Sequence, residues 1–116
     1  MRDWTSIRER YTRDGVPVRL GGLATNLGRI DSFSHHPGHQ EVVESLLEES
    51  KFFIEWVAPE AEVEVAAELV ALQRQLARWH LHWADLWADP ERRMAVAQQA
   101  RDWSDRVLEM SGLLEG

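Results

Sequence analysis

The sequence predicts an all-α protein, an antiparallel up-down-up-down four-helix bundle with a short extra N-terminal helix. Three observations carry that expectation. Val65, Leu69, Leu72, Leu76, Trp79, Trp83 and Leu86 follow one another by steps of 4, 3, 4, 3, 4 and 3, the seam of a long helix packed lengthwise against others. Gly15 with Pro17, Pro37 with Gly38, Pro59, and Asp89-Pro90 divide the chain, and every segment between them has a helical period with no alternating strand pattern. The 116 residues amount to a single domain, 1–116, long enough to bury a core without disulfides or metals.

The elements follow in order. A short helix is expected over 3–13, with Trp4, Ile7 and Tyr11 on one stripe. The first bundle helix covers 18–34, with Leu20, Leu23, Leu27 and Ile30 spaced 3, 4 and 3. Gly21, Gly22 and Gly28 weaken it by about 1 kcal/mol each relative to alanine, and glycines in a helix that still forms mark close packing of another backbone. The second covers 38–57, on a seam of Val43, Leu46, Phe53 and Val57 that Val42, Leu47, Ile54 and Trp56 widen and Ser50 interrupts. The third, 60–88, is the longest, about 43 Å at 1.5 Å per residue. The fourth, 90–111, begins at Asp89-Pro90-Glu91: an acceptor for an orphan N–H, a proline suited to the first position, and an acid at the positive end of the dipole. Its seam is Val96, Ala100, Trp103, Val107, Met110 and Leu114, with Gly112 as its stop.

Charge is distributed unevenly along an acidic chain of net −7. Residues 1–30 carry six arginines against Asp3, Glu9 and Asp14, whereas 41–68 carries nine glutamates against Lys51 alone. Such a body repels nucleic-acid phosphates and anionic lipids, so neither is expected as a partner. A basic N-terminal segment beside it suggests docking, internal or onto a neighbouring subunit, with apolar contact supplying most of the energy because salt screens the rest. There is no cysteine, hence no disulfide or thiolate metal site. The opening MRDWTSIRERYTRDG has no apolar signal-peptide core, and no run approaches a membrane span. A soluble, cytoplasmic protein is expected.

Six tryptophans make the chain tryptophan-rich. Trp79 and Trp83 lie on the seam of the third helix and belong to the core. Trp56 and Trp87 lie beside seams, and with Trp4 and Val70 they are the expected interface residues of a homodimer or of a protein partner.

Polar constellations are few. His35, His36 and His39 sit in the turn after the first bundle helix, at the end of the bundle that also receives Asp85, Asp89 and Glu91 in this topology. They are the candidate metal ligands, but their spacing matches no zinc motif, and no metal or other cofactor is expected. The Glu-x-x-His pairs of di-iron bundles are missing.

Arg74 precedes His80 by six positions, which resembles the R-x4-6-H element of the HEPN family. That resemblance implies Arg74 and His80 as a catalytic pair acting on an RNA phosphodiester, repeated across a dimer axis. Glu41, Glu44, Glu48 and Glu49 resemble the magnesium-binding glutamates of MazG-type nucleotide pyrophosphohydrolases, which implies a second acidic cluster, offered here by Asp85 and Asp89. The segments VRLGGLATNLGRIDSFSHHPGH and VVESLLEESKFFIEW are similar to a group of short, uncharacterised all-helical proteins of cyanobacteria, a resemblance that implies no activity. The residues themselves point to a non-catalytic helical protein that works by association, as homo-oligomer or adaptor. The alternative is a MazG-like hydrolase or HEPN-like RNase.

Overall fold

A computed structural model describes residues 2–115. It is all-helical, with six α-helices: α1 Trp4–Thr12, α2 Val16–Ser34, α3 Gln40–Val57, α4 Val63–Leu81, α5 Trp83–Ala88 and α6 Pro90–Ser111. Short 3₁₀ turns cover Pro37–His39, Ala58–Glu60 and Leu113–Glu115. Among the described residues there is no strand.

Local chemistry sets the ends. The Asp3 side chain accepts from Ser6 N–H and caps α1. Asp89 accepts from the N–H groups of Glu91 and Arg92 at the start of α6, with Pro90 in the first position. At the far end Gly112 adopts φ +75, the left-handed conformation that only glycine enters without strain, and stops α6.

Neighbouring long helices run antiparallel in pairs. Between α2 and α3, Asn26 donates to Glu49 at 3.0 Å and Arg19 to the Trp56 carbonyl at 3.3 Å. Between α3 and α4, Gln73 donates to the Lys51 carbonyl at 3.2 Å, while His80 stands 3.9 Å from Glu44. Between α2 and α6, Ser104 donates to the Ala24 carbonyl at 2.7 Å, and Arg93 donates to the Ser34 carbonyl at 3.1 Å. Small residues let this last pair of backbones approach. Ala24, Ala97 and Ala100 are buried, and a Cβ on Gly28 would meet only the Ser104 hydroxyl, at 3.6 Å.

The core is built from the expected seams: Leu20, Leu23, Leu27 and Ile30 of α2, Val43, Leu46, Phe53 and Val57 of α3, Leu69, Leu72, Leu76 and Trp79 of α4, and Val96, Ala100 and Val107 of α6. Ser50 is buried within the α3 seam. Val65, Trp103 and Met110 pack against the core half-buried, and Leu114 is exposed beyond the Gly112 stop.

The single helix expected over 60–88 is divided. Residues 58–60 form a 3₁₀ turn, and the helix breaks at His82, where φ is −108 and ψ 22. No proline or glycine stands there. Just beyond the interruption two buried indoles reach backbone acceptors: Trp83 Nε1–H donates to the Gln40 carbonyl at 3.2 Å, and Trp87 Nε1–H to the Pro37 carbonyl at 2.9 Å. A buried indole N–H left without an acceptor would be costly.

Helix α1 docks internally, on α3. Trp4 lies against Phe52 at 4.4 Å, Tyr11 stacks on Phe53 at 3.9 Å, and Trp56 touches both Trp4 and Tyr11. Arg2 pairs with Glu49 at 3.0 Å. Arg19 is buried at the C-terminal end of α3, where it meets Glu60 at 2.8 Å and its own carbonyl accepts from Tyr11 Oη–H at 2.7 Å. Burial raises the Tyr11 pKa and keeps that phenol a donor.

Candidate functional site

The expected interface residues have separate fates. Trp87 is 5% exposed, so it is corrected from surface to core. It follows the buried Trp83 by one turn on α5, its ring lies under the Arg93 guanidinium at 5.2 Å, and Arg93 also holds the Trp87 carbonyl at 2.9 Å. Trp4 and Trp56 meet edge-on inside the chain, ring centres 6.4 Å apart, and together they cement α1 to α3. Val70 alone of the four is open, at 44% exposure.

In the turn His35 and His36 are hydrogen-bonded locally, while the His39 side chain is held by ring contacts alone and its Nδ1 is buried with no hydrogen-bond partner among the described residues. His35 Nε2 is 3.0 Å from Asp31 Oδ1. His36 Nδ1 accepts from Gly38 N–H at 3.1 Å, and its ring stacks on His39 at 4.5 Å. His39 in turn abuts Phe33 edge-on at 5.2 Å. Asp85 is exposed on α5, and the Asp89 carboxylate is spent on its cap. Among the described residues no group of three or more His, Asp or Glu side chains converges on a point.

Glu44, Glu48 and His80 share the side where α3 faces α4. A groove of about 440 Å³ there is lined by Glu48, Lys51, Phe52, Glu55, Gln73 and His80. Arg74 is exposed and does not line it; six positions apart on one helix, Arg74 and His80 point about 120° apart. Glu41 is exposed at the start of α3, and Glu49 is turned the other way, held by Arg2 and Asn26.

A second groove, of about 330 Å³, lies between α4 and α6. Glu68, Gln99, Asp102, Trp103 and Arg106 line it. Arg106 bridges it to Glu68 with hydrogen bonds of 2.7 and 2.6 Å, a bidentate pair that holds the Glu68 carboxyl below its ordinary pKa.

The outer face of α4 is the feature that reading the core seam alone misses. Val63 is 81% exposed and Leu81 79%. With Ala67, Val70, Arg74 and Ala77, all exposed, they are spaced 4, 3, 4, 3 and 4, a second heptad series in the same helix. At 100° per residue it lies about 160° from the core seam. Helix α4 therefore carries, opposite its core seam, a second series that is apolar except at Arg74, and only the core seam is covered.

No protein-family model, no curated protein and no solved structure matches this chain. Among the described residues no helix is long and apolar enough to cross a membrane.

Proposed function

We propose that this chain is a non-catalytic, cytoplasmic helical protein that works by association. In this proposal its four long helices form one up-down-up-down bundle, and the short N-terminal helix serves as a strap. The observation that carries it is the outer stripe of α4. A helix at the edge of a bundle needs one apolar side to fold; a second, apolar at five of six positions and exposed from Val63 to Leu81, costs solubility and fits contact with another surface. A photo-reactive phenylalanine analogue in place of Val70, activated in cells producing the protein, tests this. The expected result is a covalent adduct with a protein chain. Recovery of the unmodified chain alone defeats the proposal.

The enzymatic alternative, a nucleotide hydrolase or RNase, has one observation in its favour: His80 stands 3.9 Å from Glu44 beside the α3–α4 groove. It requires turnover of a mixed RNA pool or of nucleoside triphosphates, lost in His80→Ala. Inactivity of the purified chain on both sets it aside.

A further inference from the structure

We infer that the outer face of α4 is covered by the same face of a second copy of this chain, in an antiparallel, two-fold arrangement. This rests on the association proposed above and names its partner. Three features of α4 converge on it.

The first is the symmetry of the stripe. Positions 63, 67, 70, 74, 77 and 81 read the same in both directions about the level of Leu72. Two copies laid antiparallel about that level overlap along the whole helix, about 27 Å. Val63 of one copy then meets Leu81 of the other, Ala67 meets Ala77, and Val70 meets the aliphatic stem of Arg74. Every contact is made twice, as a two-fold interface requires.

The second is the order of charge. Glu62 and Glu64 flank the stripe at its N-terminal end, and Arg74 and Arg78 lie on its C-terminal half. All four are exposed, and among the described residues none of them forms an ion pair. Parallel pairing would set glutamate against glutamate and arginine against arginine. Antiparallel pairing brings Arg78 within about 3 Å, along the axis, of Glu64 of the second copy. Such flanking charges choose orientation more than they supply affinity.

The third is local neutrality. In a chain of net charge −7, these two glutamates and two arginines cancel, so two copies can approach by this side with little of the repulsion that other acidic surfaces impose. The small side chains of Ala67, Ala71 and Ala77, all exposed, let the two backbones come close.

Sedimentation of the full chain from about 1 to 300 µM tests the inference, as interfaces of this modest size are weak. A monomer–dimer equilibrium in the micromolar range is expected. Val70→Glu should weaken it at least about tenfold, since the residue lies near the two-fold axis. Because Val70 is exposed, the same substitution should leave the thermal melt of a dilute, monomeric sample unchanged. Glu64→Arg or Arg78→Glu alone should also weaken pairing, and the two together should restore it. A dimer indifferent to Val70→Glu and to the charge reversals overturns the inference, as does a monomer at every concentration. A monomer that nonetheless crosslinks from position 70 to a different protein overturns self-pairing while leaving association standing; a monomer that crosslinks to nothing removes both.

Discussion

Helices α2 and α4 are each 19 residues long, and they end in opposite situations. Eight side chains of α2 are buried, among them Arg19, Asn26 and Ser34, whereas only Leu69, Leu72, Leu76 and Trp79 are buried on α4. The difference lies in what flanks them. Helix α2 meets α3 on one side and α6 on the other, and Ala24 and Gly28 let α6 come close enough for Ser104 to reach the Ala24 carbonyl. Helix α4 is packed along its core seam, but its approach to α6 is spanned by the long Arg106–Glu68 bridge over an open groove. An apolar surplus on α2 disappears into the molecule. On α4 it remains outside, where it is available for a partner.

That contrast can be broken most decisively in the core, where it should vanish. Leu27 of α2 and Leu72 of α4 are both fully buried. Leucine-to-alanine at either should cost about 2–5 kcal/mol in urea unfolding followed by circular dichroism. Trp83→Ala belongs at the top of the same range, about 3–5 kcal/mol, because a whole buried indole leaves the core. A loss below about 1 kcal/mol at Leu72 or Trp83 would mean that the α4 seam is not the one described.

The contrast should sharpen where small residues stand. Ala24→Leu on α2 forces a larger side chain against α6 and should cost about 1–3 kcal/mol. Ala71→Leu on the outer face of α4 should change stability by less than about 0.5 kcal/mol in the monomer. Equal effects at the two positions would show that α4 is covered within the single chain.

The smallest expected effect is electrostatic. Glu60 and Glu68 each have a pKa held below the ordinary 4.5 by hydrogen bonds from an arginine, Arg19 and Arg106 respectively. A carboxylate with a depressed folded pKa contributes stability that is fully present above the unfolded value and is lost as pH falls through the folded one. Stability should therefore decline as acid is added below about pH 4.5, the pKa expected for an unfolded glutamate. Arg106→Gln should make that decline shallower. Both glutamates are largely solvated, so the change is small, as surface pairs generally are. An acid limb unchanged by Arg106→Gln would show that the bridge across the α4–α6 groove contributes nothing.

Much of this architecture was legible in advance, for reasons that differ by element. Asp89-Pro90-Glu91 announces a helix because capping needs only neighbours within one turn, and Gly112 announces its end for the same reason. The seams of α2, α3, α4 and α6 were readable because burial on one side imposes a helical period. The break at His82 was not, since no residue there resists a helix; just beyond it Trp83 and Trp87 donate to the carbonyls of Gln40 and Pro37, about 40 to 50 positions away in sequence. Trp87, one turn after Trp83, is core rather than the expected surface. The second heptad series was present in the letters from Val63 to Leu81, yet a period alone says nothing about which of two apolar sides finds a cover.

By itself, then, the amino-acid order determined an all-helical chain, those helix ends that carry a local signal such as Asp89-Pro90 and Gly112, and the side chains able to line a core. Those properties are set by backbone geometry and hydrogen bonds within a turn or two. Only tertiary structure decided that α1 folds back on α3, that α6 nestles against α2 rather than α4, and that one apolar edge is left facing water. Burial depends on which rods stand beside which, and that choice is made by long-range packing among residues that no local pattern connects.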